Sequence, residues 1–295
     1  LLLKNKSMFQ DGITFVSKKV LQYAVILLGF GLNLSVILET GKQSLPIIVT
    51  TISTSLIIAY LLHKVMHVPE NFTLVGVGSS ICGGSAIAAT APVIDADDEE
   101  VAQAISVIFF FNMLAALFFP SLGALLGFST KSGEAFGIFA GTAINDTSSV
   151  TAAASTWDSL YALGSATLDK AVTVKLTRTL AIIPITLVLA FIRTRSSKAE
   201  GKKVEFKKIF PMFISTLFFA SVITTIATST GDPQMYLSAE DTQQFFIVLA
   251  MSAVGLNTNI IKLIKTGGKP LALGFCCWIG ITIASLSMQH VLGIW

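Results

Sequence analysis

Long apolar runs constrain this chain more than any other feature of its sequence. Many of them reach about 20 residues, the length that an α-helix needs to cross the hydrocarbon core of a bilayer. Only 13% of the residues are charged, whereas a soluble domain carries about 25%. The sequence therefore predicts an all-α, polytopic transmembrane helical bundle. A window of about 19 residues gives about nine candidate spans, at residues 20–38, 46–62, 72–94, 101–126, 133–156, 170–192, 209–230, 244–261 and 270–294.

The spans follow one another closely and predict a single transmembrane domain over residues 1–295. Pro46 and Pro270 are expected to open their spans, since proline is tolerated in the first turn of a helix. The chain begins at Leu1 and soon enters its first apolar run. We expect further apolar segments to precede it in the full protein.

Basic residues collect in the loops and predict how the chain is oriented. The segment 193–208, RTRSSKAEGKKVEFKK, is rich in Lys and Arg, and such loops face the cytoplasm. Counting spans outward from it places the acidic stretch DADDEE (95–100) on the opposite side. A net charge of +3 is too small to indicate a nucleic-acid partner.

Cysteine and histidine offer no chemistry of their own. Cys82, Cys276 and Cys277 lack the spacing of a metal site or a disulfide framework. No histidine falls in the middle of a predicted span, so neither a metal, a cofactor nor an enzyme is expected.

Two apolar segments contain residues that loosen a helix. They are GSSICGGSAIAATAP (78–92) and GTAINDTSSVTAAAS (141–155), and each joins an apolar half to an alanine-rich half through a polar centre. Glycine costs about 1 kcal/mol in a helix interior, so both segments predict discontinuous, broken helices. The alternative is close helix packing through small residues, which explains the first segment better than the polar run 145–149.

Unwound backbone at membrane depth is tolerated where protein buries it or water reaches it. The helix that begins after a break points its N–H groups and positive dipole end at the break, which suits an anion. The sequence therefore predicts a binding site at the two polar centres. Its candidate residues are Ser79, Ser80, Cys82, Gly83, Gly84, Ser85, Asn145, Asp146, Thr147 and Ser148.

Charged side chains near the middle of a span are costly and usually have a partner. Asp146 is the clearest case, and Lys175 and Arg178 lie three residues apart on one predicted helical face. We expect Asp146 to pair with Lys175 or Arg178, and these groups to attract an anion, carry a proton, or both. A purely structural ion pair is the alternative.

A short motif occurs twice, as Gly-Leu-Asn at 31–33 and at 255–257. Thirteen residues after each asparagine comes a proline, Pro46 or Pro270. The predicted orientation makes the two copies run in opposite directions. This pattern predicts inverted repeats of the kind found in secondary transporters.

The segments SKKVLQYAVILLGFGLNLS, GSSICGGSAIAATAPVI and FGIFAGTAINDTSSVTAAA resemble the YeiH-like family of bacterial inner-membrane proteins, usually labelled sulfate exporters. The resemblance covers essentially the whole chain. The first half is also distantly similar to bile-acid sodium symporters and cation/proton antiporters, which implies broken helices that cross at the midplane. Such helices should be antiparallel, whereas the span count makes 72–94 and 133–156 parallel. A half-span hidden in 157–169 would correct the count.

Together these features predict a secondary active transporter of the bacterial inner membrane. The expected substrate is a small anion, sulfate or a related sulfur oxyanion, moved by alternating access, with Asp146 binding a proton or sodium as coupling ion. The rival is a sodium/proton antiporter; an enzyme or a channel is less favoured. The expected partners are the anion, the coupling ion and the lipid bilayer, with a homodimer left open.

Overall fold

The computed structural model describes residues 9–16, 20, 23, 34–66, 71–199, 216, 219–220, 222–227, 245, 249 and 268–295. Within these ranges the regular structure is α-helical, without a strand, as predicted. The helices are α1 (Gln10–Phe15), α2 (Leu34–Met66), α3 (Asn71–Ser80), α4 (Gly84–Thr90), α5 (Asp98–Leu125), α6 (Glu134–Ala143), α7 (Thr147–Tyr161), α8 (Ala166–Thr179), α9 (Ile182–Ala199) and α10 (Gly268–Val291).

Four stretches of the described chain are long and apolar enough to cross a bilayer. They are Gln43–Val65, Asp98–Leu125, Ala166–Arg193 and Gly268–Val291, and they confirm the membrane class and the predicted spans 46–62, 101–126, 170–192 and 270–294. Predicted spans 20–38, 209–230 and 244–261 lie largely outside the described residues. So do both copies of the Gly-Leu-Asn motif, so that the inverted repeat stays a prediction.

Helix α2 corrects the prediction for Pro46. The helix begins at Leu34 and runs through Pro46 to Met66, so this proline does not open a span. It lacks one backbone donor, a loss that a long helix tolerates. Pro270 lies in the first turn of α10, as predicted.

The chain divides into two compact units. Described residues within Leu1–Leu34, Ala88–Gln103 and Thr186–Thr266 belong to the first, and those within Ser35–Ile87, Ala104–Ile185 and Gly267–Trp295 to the second. The single-domain organisation stays a prediction. Every predicted site residue falls in the second unit.

Helices α6 and α7 of the second unit form a hairpin. Phe136, near the start of α6, stacks on Trp157, near the end of α7, with ring centroids 4.2 Å apart. Both side chains are fully buried in an aromatic core that includes Phe119 and Phe139. The chain therefore turns back at residues 144–146. The prediction that 133–156 is a single crossing is wrong, because the aromatic contact brings its two ends together.

Helix α8 lies alongside α6 and runs in the same direction. A Cβ on Gly137 would lie 2.9 Å from Lys170 Cβ, and one on Gly141 would lie 2.7 Å from the Ala171 carbonyl oxygen. Glycine at both positions lets the two backbones approach closely, as small residues do in membrane helices. The connection between α7 and α8 covers residues 162–165 and contains no further helix, so the hidden half-span expected in 157–169 is absent.

The buried Asp158 carboxylate fixes the start of α8. It accepts hydrogen bonds from the backbone N–H groups of Thr167 at 3.0 Å and Leu168 at 2.9 Å. These are donors without intrahelical partners at a helix N-terminus. The end of α7 and the start of α8 therefore lie together, at the same end of the unit as the start of α6.

Helices α3 and α4 meet at a sharp turn. Gly83 adopts a φ of +71°, in the left-handed region that glycine enters at no steric cost. A Cβ on Gly78 of α3 would lie 2.8 Å from Ile87 Cγ1 of α4. The two helices are thus not collinear, and α4 folds back over the last turn of α3.

The first unit corrects the predicted orientation. Arg193 Nη2 lies 3.7 Å from Asp95 Oδ2, so residues predicted on opposite sides of the membrane lie on one side. Between them the described chain has two candidate spans, Asp98–Leu125 and Ala166–Arg193.

Candidate functional site: two helix tips around a buried cationic pair

Helix α3 ends in carbonyl groups that receive hydrogen bonds from α8. Arg178 donates from Nη2 to the Ser79 carbonyl at 2.9 Å and from Nε to the Ser80 carbonyl at 2.8 Å. Lys175 Nζ donates to the Ile81 carbonyl at 2.7 Å. The last carbonyls of a helix lack intrahelical partners. Here the Lys175 and Arg178 side chains of α8 donate the hydrogen bonds that these carbonyls need.

Helix α6 ends against the same two side chains. Arg178 Nη1 donates to the Thr142 carbonyl at 2.6 Å and to the Ile144 carbonyl at 3.4 Å. Lys175 Nζ donates to the Ile144 carbonyl at 3.1 Å. Ile144 is extended, with φ −92° and ψ 136°, which ends the helix and presents its carbonyl. The negative ends of two helix dipoles therefore converge on one cationic pair.

The two cations differ in the donors they have left. Arg178 also donates from Nη2 to Asn145 Oδ1 at 3.3 Å, so that all five guanidinium N–H groups have acceptors. The Lys175 ammonium has three N–H groups and makes two hydrogen bonds within the described chain. Both side chains are fully buried. Arg178 is saturated, whereas Lys175 retains a donor.

Asp146 caps the second helix of the hairpin. Its carboxylate Oδ2 accepts a hydrogen bond from the Ser149 N–H at 3.3 Å, the geometry of an N-terminal cap. Asp146 lies two residues after Ile144, whose carbonyl accepts a hydrogen bond from Lys175 Nζ at 3.1 Å. The cap accounts for a mid-span aspartate without invoking transport, and the expected direct pairing with Lys175 or Arg178 stays a prediction.

The structure brings most predicted site residues into one region of the second unit. The two tips are residues 81–83, between α3 and α4, and residues 144–146, between α6 and α7. Buried predicted residues are Ser79, Ser80, Cys82, Gly83, Gly84, Asn145, Lys175 and Arg178, and partly buried ones are Ser85, Asp146 and Thr147. The Ser148 side chain lies outside the described part of the chain. Ser80 Oγ donates to the Val77 carbonyl of its own helix at 2.9 Å.

The sequence analysis missed Asn112 of α5. Its Oδ1 accepts a hydrogen bond from the Asn145 N–H at 2.9 Å, and its side chain is buried. An asparagine at the middle of an apolar span is a signal that could have found it, because such a group needs a partner. Thr142 also contributes beyond its carbonyl, since its hydroxyl lies 2.7 Å from the Ser285 hydroxyl of α10.

No group of three or more His, Cys, Asp or Glu side chains that could hold a metal ion occurs among the described residues. The site is thus made of backbone carbonyls, two cations, one carboxylate and amides. Such a set can stabilise a charged solute by hydrogen bonds and electrostatics.

The fold and the site together define an α-helical membrane protein with a polar, charged centre. The family described as "Conserved hypothetical protein 698" matches residues 2–274. A UPF0324 membrane protein of Fusobacterium nucleatum is 57% identical over 100% of this chain and 88% of the relative. A UPF0324 membrane protein of Streptococcus mutans is 59% identical over 99% of this chain and 86% of the relative. No solved structure matches the chain.

The chain belongs to this UPF0324 family. The YeiH-like family corresponds to it, so the resemblance seen in the sequence is confirmed. The relatives are named only as membrane proteins, a class that the apolar helices of this chain share.

Proposed function

We propose that this protein is a secondary transporter of a small anion, with sulfate or a related sulfur oxyanion as the first candidate, in the bacterial inner membrane. The observation that carries the proposal is the buried cationic pair at the two helix tips. Lys175 and Arg178 are each 0% exposed and lie near the middle of the candidate span Ala166–Arg193.

The charge at the tips favours an anion over a cation. At full ionisation, Lys175 and Arg178 bring two positive charges, and Asp146 supplies one carboxylate at the α6–α7 tip. The four helix ends at the tips contribute partial charges of opposite sign that offset one another. A positive excess remains, and a buried excess charge is costly without a counter-ion. An anion that accepts a hydrogen bond from the third N–H group of Lys175 would be that counter-ion.

The backbone of the tips also fits transport better than a static role. Interrupted helices at membrane depth are typical of transporter sites, where non-helical backbone lines a cavity. In the proposed mechanism, alternating access exposes the tips to one side and then the other. Asp146 carries the coupling proton or sodium ion, and the loop 193–208 faces the cytoplasm because of its basic residues.

The test is thermal stabilisation of the purified protein in detergent by sulfate, with chloride at matched ionic strength as the reference. A ligand that binds the folded state at 100 times its Kd raises stability by about 2.7 kcal/mol. We expect sulfate to raise Tm of the wild type. Lys175→Gln, which removes the charge but keeps donors, should weaken the stabilisation by roughly tenfold or more in sulfate concentration. Lys175→Arg, which keeps the charge, should weaken it less.

The sodium/proton antiporter is the rival, and the same Tm assay separates it when sodium concentration and pH are varied in place of sulfate. If sodium or pH shifts Tm through Asp146 and no anion does, the anion proposal is overturned in favour of cation exchange. If sulfate stabilises Lys175→Gln as well as the wild type, the stabilisation does not come from the tips and is accounted for by exclusion of sulfate from the protein surface, which overturns the proposed site.

A further inference from the structure

Asn112 joins the two tips but uses only half of its side chain. Its Oδ1 accepts the Asn145 N–H of the α6–α7 tip at 2.9 Å, and this bond fixes which way the amide points. Its Nδ2 has no hydrogen-bond partner among the residues that the structure describes, although the side chain is only 1% exposed. Two N–H donors are thus buried without an acceptor.

The unpaired Nδ2 faces the other tip. A Cβ on Gly83 would lie 3.6 Å from Asn112 Nδ2 and 3.8 Å from the Asn145 carbonyl carbon. The amide nitrogen therefore lies between the Gly83 turn and the start of α7. It is also near the middle of the candidate span Asp98–Leu125, at the depth where the cationic pair lies in its own span.

Buried polar groups in native proteins are almost always hydrogen-bonded, and each exception needs an explanation. An amide NH2 can donate but cannot accept, so its missing partner must carry a lone pair. The transported oxyanion of the proposed function is such a partner, and the remaining Lys175 donor belongs to the same junction of tips.

We infer that Asn112 is a substrate-binding residue, whose Nδ2 donates a hydrogen bond to an oxygen of the bound anion. This inference rests on the proposed function and adds to it a neutral donor from α5, which none of the sequence motifs contains. The bound anion would then bridge α5 to the cationic pair on α8. Such a site recognises the oxygen atoms of the anion by hydrogen bonds as well as its charge.

The experiment measures the Kd of radiolabelled sulfate for the full chain in detergent. Asn112→Leu removes both donors without adding charge. Losing a hydrogen bond to a charged ligand should raise Kd by roughly 10- to 100-fold. Gln289→Leu is the matched control, because Gln289 is a fully buried amide that lies against Ala135 and Phe139 at the other end of the unit. It should lower Tm and leave Kd within about twofold of wild type.

Asn112→Asp is the second variant, for the case in which Asn112→Leu does not fold. It keeps the acceptor for the Asn145 N–H and replaces the NH2 group with a second acceptor oxygen. A buried carboxylate is costly, so the Tm of this variant should fall below that of wild type, and the folded protein should lose sulfate binding. Wild-type Kd in either folded Asn112 variant overturns the inference and assigns Nδ2 to a water molecule, while the proposed function stands. A wild type that binds no sulfate overturns both.

Discussion

The two tips reverse the chain with different backbone geometry. At the α3–α4 tip the reversal depends on Gly83, whose φ of +71° only glycine adopts freely. At the α6–α7 tip Ile144 is extended, and the aromatic contact between Phe136 and Trp157 holds the hairpin closed. One reversal is thus set by local conformation and the other by packing far from the turn.

The helices that follow the two turns begin differently, although the helices that precede the turns end alike. Both first helices end on Lys175 and Arg178. The second helix of the α6–α7 hairpin is capped by Asp146, whereas α4 begins at Gly84 directly after the left-handed Gly83. The two tips thus share one cationic pair, and only the α6–α7 tip has a carboxylate.

Removing Arg178, which donates hydrogen bonds to both tips, should have the largest effect on stability. Arg178→Met leaves four acceptors at the two tips without their side-chain donor, namely the carbonyls of Ser79, Ser80 and Thr142 and Asn145 Oδ1. The Ile144 carbonyl keeps Lys175. Each unsatisfied buried group costs about 1–3 kcal/mol. We expect a loss of at least about 3–5 kcal/mol and little folded protein, measured by size-exclusion profile and Tm in detergent. Arg178→Lys keeps the charge and should be less severe. A monodisperse Arg178→Met with wild-type Tm would show that the carbonyls do not depend on this side chain.

A substitution at the glycine should affect one tip alone. Gly83→Ala forces a Cβ into the left-handed region, which costs about 1–2 kcal/mol, and that Cβ would lie 3.3 Å from Ile108 Cγ2. The matched control is Gly127→Ala, where φ is +79° and no atom lies within 4 Å of the added Cβ. Gly83→Ala should therefore lower Tm more than Gly127→Ala and also weaken sulfate binding. Equal losses in the two variants would mean that the tip tolerates the side chain.

The smallest effect on stability is expected at the other tip. Asp146→Asn keeps a good N-terminal cap and loses only the charge of a partly buried carboxylate, so the free energy of unfolding should change by less than about 1 kcal/mol. Asp146→Ala also removes the cap and should cost about 1 kcal/mol more. If Asp146 carries the coupling proton, the Asn variant should lose pH-dependent sulfate uptake into proteoliposomes. Uptake with an unchanged pH profile would leave Asp146 as a structural cap.

The sequence determined the class of protein and most of the site's membership. Apolar runs about as long as a bilayer is thick identify membrane helices whatever their packing, and glycine and polar residues at 78–85 and 141–149 mark where α3 and α6 end. Lys175, Arg178 and Asp146 were evident because charge is costly in such segments. These signals are local, since each depends on one residue and its neighbours along the chain.

Only the tertiary structure decided how those residues are used. The acceptors of Lys175 and Arg178 lie up to 99 residues away along the chain, and no spacing encodes such partners. Whether 133–156 crosses or turns back depends on the contact between Phe136 and Trp157, and only the ion pair of Arg193 with Asp95 showed that these two residues lie together. Asn112 looked like one polar residue in an apolar helix, and only packing placed its amide between the two tips. Composition determines that this chain folds in a membrane. Where the chain turns back, and which side chains are hydrogen-bonded to each other, depend on contacts between distant segments.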